Sequence, residues 1–425
     1  MDALSQKLRL LKRKVKVWTH SKSLDMKQDL ISIDSEIKNI LGSSVSGILS
    51  SQDHIRISEL RSKMQHLMDH ELRSALLQSR MTWENSGDAN TKYFHAVAST
   101  HRNQNTIWGL EDDMGNLIED DKGLKDLGVK YFSKNFRDDN QTNIVAQLKV
   151  IRLFASFILP KETERLSLQI TLEEFEHALR SFKRDKSPGP DGCPVEFFLA
   201  FFDILGNDLL EAVEYSRLDG RVLPSMNSTF ISLIPKKENP LTFADFRPIS
   251  LCNLVYELIS KIASLLLKPF LDKFISSQQF GFLKNRQIVE PIAITQEVLH
   301  SVKTKNKSAL ILNLDLSKAF DRVNWYYLRI ILLQIRVPLV GVNWIMGCLS
   351  SANFDLIVNG TSSSFFPASR GIRQGCPLLF IIVIEGLSLL IEDAQTNGRI
   401  KGISISSQLS LTHLLFVDDV ILFGT

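Results

Sequence analysis

An α+β fold is expected from three features of the 425 residues. Apolar positions recur at helical spacing through much of the chain up to Val302. Short runs of β-branched, aliphatic and aromatic residues, bounded by Gly, Asn, Asp or Pro, sit between and after those helices. A hydrophobic fraction of 44% with 23% charged residues is enough for a core and excludes a disordered or low-complexity chain. At roughly 100–200 residues per domain, the length implies two or three domains.

The elements follow in order. The first hundred residues are helix-like and polar, with irregular apolar spacing around Trp83 and a break at Gly87-Asp88. Asn105 to Asp121 predicts a hairpin in which Ile107-Trp108 and Leu117-Ile118 flank a turn at Asp113-Met114-Gly115-Asn116. The acids around that turn (Glu111, Asp112, Asp113, Glu119, Asp120, Asp121) read as solvated loop residues rather than a cation site. Thr171-Leu172-Glu173-Glu174 has the form of a capping box, and Leu172, Phe175, Leu179 and Phe182 follow at helical spacing. Lys186 to Gly192, KSPGPDG, cannot continue a helix. Phe230 to Ile234 reads as a strand with Ile249 to Leu251 as its partner. Leu254 to Phe274 and Val289 to Val302 read as helices, and Ala309 to Leu316 as a buried strand. Asp321 or Asn324 is placed to cap the next helix. Asn353 to Val358 and Thr361 to Phe366 flank Asn359-Gly360, the signature of a tight primed turn. Pro377 suits the first turn of a helix. Leu411 to Phe416 and Val420 to Phe423 are short strands joined through Val417-Asp418-Asp419.

Composition excludes several classes. Lys plus Arg is 50 and Asp plus Glu is 47, so a net charge of +3 rules out a globally basic nucleic-acid coat, though not a local basic groove. The basic run Lys7, Arg9, Lys12, Arg13, Lys14 and Lys16 reads first as a solvated helix face and second as a contact for nucleic acid. Four cysteines with no CxxC pair are not a disulfide scaffold and fit a reduced, intracellular compartment. The N-terminus lacks the apolar core of a secretory signal. Leu378 to Ile391 is short, carries Glu385, and reads as a core helix rather than a membrane span. No Walker loop and no GxSxG elbow occurs.

Two acidic features stand in apolar strands: Asp315 in ILNLDLSKAFD, and Asp418-Asp419 in LLFVDDVILFG. A carboxylate among such neighbours is costly unless its charge is compensated. A pair at a strand turn and a third from another strand suit a divalent cation, which is held by one or two carboxylates plus substrate phosphates. The plain alternative is that they are strand-end turn acids. His66 and His70 stand at i and i+4, a spacing zinc accepts, but in a polar segment with no evident third ligand they read as a surface helix.

These motifs, in this order, resemble the reverse transcriptase of LINE-type (non-LTR) retrotransposons, most like those of plants. The resemblance rests on KSPGPDG (186–192), SLIPKK (232–237), DFRPISL (245–251), QQFGFLKNRQ (278–287), NLDLSKAFDRVNW (313–325), RGIRQGCPL (370–378) and LLFVDDVILFG (414–424). GDANTKYFH (87–95) resembles the region that precedes the polymerase. The resemblance implies a right-hand polymerase: a helical N-terminal region with a small hairpin over 1–150, fingers over 151–307 and an incomplete palm over 308–425. It implies RNA-directed DNA polymerisation, in which a primer 3′-hydroxyl attacks the α-phosphate of a deoxynucleoside triphosphate and releases pyrophosphate.

By the same resemblance, Asp315, Asp418 and Asp419, with the carbonyl of Leu316, bind two Mg²⁺ ions, Mn²⁺ being a substitute. Phe320 lies beneath the incoming sugar and clashes with a 2′-hydroxyl; its plain alternative is a core Phe. Lys236 or Lys237 and Arg247 contact the triphosphate, Gln374 and Gly375 lie beside the nascent base pair, and Arg286 touches template or primer backbone. The implied partners are RNA template, DNA primer and dNTP, without a membrane and with protein partners unspecified. The implied compartment is the nucleus. The pattern departs from the family at 373–380, RQGCPLLF, where members commonly read RQG-D-PLSP-x-LF. Cys376 replaces the acid and about three residues are absent, so the following helix is expected to start early and rotate, or the loop to tighten. The chain is expected to be a fragment without endonuclease, thumb or RNase H regions, folding but polymerising poorly or not at all. The rival expectation is an inactive remnant that at most binds nucleic acid.

Overall fold

The computed structural model describes residues 1–42, 50–79, 91–138, 143–306, 308–373, 377–405 and 410–425. The chain divides into two units, Lys7–Gly109 and a larger one formed by Met1–Gln6 with Leu110–Thr425.

The smaller unit contains helices α1 (Asp2–Gly42, from Lys7 on), α2 (Ser51–Ser79) and α3 (Thr91–Gln104). Ile33, Ile57 and Leu60 are buried, and Arg56 of α2 bridges to Glu36 of α1 at 2.9 Å. The basic residues from Lys7 to Lys16 are exposed, as a solvated face requires. His66 and His70 are exposed, and among the described residues no three His, Cys, Asp or Glu side chains gather as a metal site. Trp83 and Gly87-Asp88 lie outside the described residues.

The larger unit opens with the expected hairpin, β1 (Leu110–Glu111) and β2 (Leu117–Ile118), its first strand beginning three residues later than expected. Asp112 accepts bonds from the Met114 and Asn116 amides, so this loop acid closes the turn. Helices α4 (Asp121–Asn135), α5 (Ile144–Ile151), α6 (Pro160–Ser167), α7 (Leu172–Arg180), α8 (Val195–Ala200) and α9 (Phe202–Asp219) follow. The capping box is formed: the Glu174 amide donates to Thr171 Oγ1 and the Thr171 amide donates to Glu174. Phe175 and Leu179 of α7 are buried, while Leu172 is exposed.

A five-stranded sheet comes next. It is built from β3 (Ser228–Pro235), β4 (Phe246–Cys252), β6 (Asn353–Val358), β7 (Thr361–Ser362) and β8 (Phe366–Pro367). β3 and β4 pair antiparallel, the expected partners, with Ser232 opposite Ile249. β6 lies parallel to β3 and turns through Asn359 and Gly360, both at positive φ, into β7. The division into units falls at Leu110, and α4 docks on this sheet. A Cβ on Gly128 of α4 would lie 2.2 Å from Leu356 of β6, so the close approach requires glycine.

Helices α10 (Leu254–Phe274), α12 (Trp325–Gln334), α13 (Leu339–Ser350) and α14 (Pro377–Thr396) build the main core with α5, while α11 (Val289–Thr304) contributes Val298 to a separate smaller cluster. Asn324, rather than Asp321, caps α12. No helix among the described residues is long and apolar enough to cross a membrane. Of the four cysteines, Cys193, Cys252 and Cys348 form no disulfide and Cys376 lies outside the described residues.

A three-stranded antiparallel sheet has the order β11 (His413–Phe416), β12 (Asp419–Gly424), β5 (Leu310–Asp315), and a small pair joins β9 (Ile403–Ser404) to β10 (Ser410–Leu411). β5 corrects an expectation. It was read as a buried strand, but Leu310 is 66% and Leu312 44% exposed. Among the described residues β5 pairs on one edge only, with β12, and a short apolar run by itself does not reveal how many neighbours a strand has.

Candidate active site

The register of β5 and β12 builds the site. Asp419 stands directly opposite Asp315. Directly opposed residues of an antiparallel pair project to the same face, with Cβ atoms about 4.5–5.5 Å apart. Asp315 and Asp419 are exposed, and Asp418 is half-buried in the two-residue turn between β11 and β12. The further end of the same face is apolar: Ile311, Ile421, Phe423 and Leu414 pack with Val298 of α11. The acids thus sit at the open end of an otherwise packed surface. The strands bring Asp315 and Asp419 together from positions about a hundred apart, whereas the three acids do not form a three-ligand cluster in this structure. Two carboxylates on one face form a hard-oxygen donor set that fits Mg²⁺ completed by phosphate oxygens. The Leu316 carbonyl, the fourth expected donor, accepts from the Ala319 amide at 3.1 Å and keeps a second lone pair.

The segment after Asp315 is held from the side. Lys318, at positive φ, donates to Tyr131 Oη at 2.8 Å and Asn135 Oδ1 at 2.9 Å on α4. Burial pushes the Asp321 carboxyl up to about 6, against the pull of Lys318, Arg370 and Arg322. Phe320 opens a short 3₁₀ turn, is half-buried, and stacks on Phe380 with centroids 4.3 Å apart. Its ring therefore packs on α14 and also keeps exposed area. Helix α14 starts at Pro377. Gln374 and Gly375 lie outside the described residues, as does Cys376. The chain enters them from Arg373, which is buried, donates to the Asn227 side chain and carbonyl, and stacks 3.8 Å over the Tyr256 ring.

The β3–β4 hairpin carries the expected cations. Arg247 is exposed on β4, opposite Ile234. Lys237 pairs with Asp245 at 3.0 Å, and Lys236 Nζ donates to the Ala244 carbonyl at 2.9 Å. The bond from Lys237 and the Leu241 and Thr242 amides hold the Asp245 carboxyl down at about 2. Arg286, expected at template or primer backbone, is engaged within the chain. Its guanidinium donates to the carbonyls of Ile275, Ser276 and Gln279, stapling the chain as it leaves α10.

Two groups were not anticipated. Val417, the first residue of the Asp418 turn, has φ of 60°. A β-branched residue there is an outlier, costing on the order of 1–3 kcal/mol. Gln279, fully buried, accepts from the Val417 amide at 3.1 Å and the Gly281 amide at 2.9 Å. It lay inside a quoted motif, but its spacing carries no signal of a contact 138 positions away. Beneath β11, Glu385, Ser276, Ser388 and His413 form a hydrogen-bonded chain, with Ser388 Oγ 2.7 Å from His413 Nε2. Burial pushes the Glu385 carboxyl up to about 7 and the His413 imidazole down to about 4.

Comparison with known proteins shows what the sequence is similar to. Residues 234–425 match the family model described as reverse transcriptase (RNA-dependent DNA polymerase). The chain is 29% identical over 367 residues to the transposon TX1 uncharacterized 149 kDa protein of Xenopus laevis, covering 86% of this chain and 28% of that protein. It is 26% identical over 241 residues to the Pol polyprotein of the type-2 retrotransposable element R2DM of Drosophila melanogaster, covering 56% and 22%. A further stretch of 67 residues is 46% identical to an uncharacterized mitochondrial protein of Arabidopsis thaliana, covering 15% of this chain and 55% of that protein. The chain spans less than a third of the length of the TX1 and R2DM proteins.

Proposed function

The chain carries a reverse transcriptase domain of the non-LTR retrotransposon type, and from that premise we propose that it catalyses RNA-templated addition of deoxynucleotides to a primer 3′-hydroxyl. The observation that carries the reading is the cross-strand pair Asp315–Asp419, with Asp418 on the adjoining turn. In this reading β5, β11 and β12 are the palm and the β3–β4 hairpin belongs to the fingers.

Asp315, Asp418, Asp419 and the Leu316 carbonyl would hold two Mg²⁺, with Mn²⁺ as the substitute. Held by these residues, the pair would supply charge neutralisation for phosphoryl transfer. The remaining work falls to side chains of this chain. Arg247 offers a rigid fork to the triphosphate, and Lys236 and Lys237 offer mobile point charges. Lys237 must exchange its Asp245 partner for phosphate, whereas Arg247 is already exposed. Phe320, fixed by its stack on Phe380, presents a bulky edge to the sugar and disfavours a 2′-hydroxyl. Gln374 and Gly375 would border the base pair, Gly375 allowing close approach of backbone.

Primer extension with oligo-dT on poly-A template, dTTP and Mg²⁺ tests the reading. The 425-residue chain is expected to incorporate dTMP, and Asp315→Asn is expected to lower the rate by on the order of 10²-fold or more. Nucleic-acid binding without incorporation would instead support an inactive remnant. Equal rates for the chain and Asp315→Asn would refute the site.

A further inference from the structure

We propose that Gln279 is a positioning residue for polymerisation, holding the Val417–Asp418 turn in the conformation that aims Asp418; this rests on the reading of Asp315, Asp418 and Asp419 as the metal-binding acids. The turn is the place where the site is least determined by its own sequence. Phe416 and Asp419 close a two-residue hairpin, and a positive φ at the first central residue is the kind of turn that matches strand twist. Glycine is the residue that adopts it freely, yet Val417 occupies the position. Something outside the hairpin must hold that conformation.

Gln279 is that constraint. Its segment runs along the outer edge of β11: the Leu415 amide donates to the Gln278 carbonyl at 2.8 Å and the Phe280 amide to the Leu415 carbonyl at 2.9 Å. The pairing fixes Gln279 against the hairpin, and Oε1 reaches the Val417 amide. Oε1 also accepts from the Gly281 amide, which prevents the side chain from swinging away. At Gly281 a Cβ would lie 2.5 Å from Val417 Cγ2 and 2.9 Å from Val417 N, so the segment presses directly on the turn. The other end of the amide argues against mere packing. Gln279 Nε2 is buried with no hydrogen-bond partner among the described residues. A buried donor left unmade is costly, and an apolar residue of the same length would avoid the cost. Keeping the amide makes sense for what Oε1 does to Val417.

The test uses the full 425-residue chain and the variants Gln279→Met, Val417→Gly and their combination. Single-nucleotide addition with Mg²⁺ is measured together with amide hydrogen exchange at Val417 and in α12. Gln279→Met, which keeps length and removes the acceptor, is expected to lower kcat by about 10-fold or more, with a much smaller change in the dNTP KM. It is expected to speed exchange at Val417 and leave α12 protected. Val417→Gly removes the penalty for positive φ, so in the Gln279→Met background it is expected to recover part of the lost kcat. Unchanged kcat and unchanged Val417 exchange in Gln279→Met would overturn the proposal. So would losses that simply multiply in the double variant, or loss of protection throughout α12. If the parent chain adds no nucleotide, the reading of the acids fails, and selective exchange at Val417 still decides whether Gln279 holds the turn.

Discussion

Phe320 places two demands on one ring. It stacks on Phe380 and, in the proposed function, faces the sugar of the incoming nucleotide. Phe320→Ala is therefore expected to relax discrimination between dTTP and UTP in primer extension, beyond a loss of roughly 0.5–1.5 kcal/mol from the aromatic pair. Unchanged discrimination in an active variant would reduce Phe320 to a packing residue. Glu385 makes a prediction about pH. Its carboxyl binds a proton more tightly in the fold than in the unfolded chain, where the value is near 4.5. The stability it contributes is complete below 4.5 and is lost as pH rises through about 7. His413, held down at about 4, acts oppositely: its contribution is complete above about 6.5 and is lost as pH falls toward 4. Glu385→Gln should flatten the fall in Tm between pH 5 and pH 8, and thermal melts of both proteins across that range check it. A fall as steep in the variant as in the parent would assign the dependence to other groups.

At the scale of elements, the β3–β4 hairpin carries Arg247, and helix α4 holds the segment after Asp315 through Lys318. Arg247→Ala is expected to raise the dNTP KM by on the order of 10-fold, as loss of charge-assisted hydrogen bonds to phosphate predicts, with steady-state kinetics as the check. Gly128→Ala would push α4 off Leu356 and is expected to destabilise by about 1–3 kcal/mol, read from chemical denaturation. Local chemistry made several elements legible. Thr171 and Glu174 close their own helix start, and Asn359-Gly360 supplies both positive φ angles of its turn. The exposure of β5 was not legible, because an apolar run looks the same with one neighbour as with two. The docking of α4 was equally hidden, since it depends on a glycine meeting a leucine 228 positions later.

For the whole molecule, the core of the larger unit draws on residues from Leu110 onward, apart from such contacts as Ser5 Oγ with Ser225 Oγ at 2.9 Å. A chain beginning at Leu110 is expected to unfold cooperatively with a Tm within a few degrees of the full protein, measured by circular dichroism. Non-cooperative melting would show that residues before Leu110 complete the core. The candidate site was legible as a series of motifs, and the register of β5 and β12 then explains why Asp315 and Asp419 belong together. The supports of that site were not legible. Gln279 and Arg373 act through an amide, a carbonyl and a side chain 138 and 146 positions away, and Arg286 through carbonyls 7 to 11 positions upstream, and nothing in their spacing marks a buried contact.

The opposition of Asp315 and Asp419 has a consequence for reading damaged gene copies. Side chains alternate between the two faces of a strand, so removing one codon between Ile311 and Leu314 turns Asp315 to the opposite face while leaving every aspartate in the translated text. Such a copy would pass an inventory of catalytic letters and still be silent. A copy with several conservative replacements in the same strand would keep its register. Counting codons between the two carboxylate strands and their turns is therefore a better guide to which copies can act than checking whether the aspartates are present.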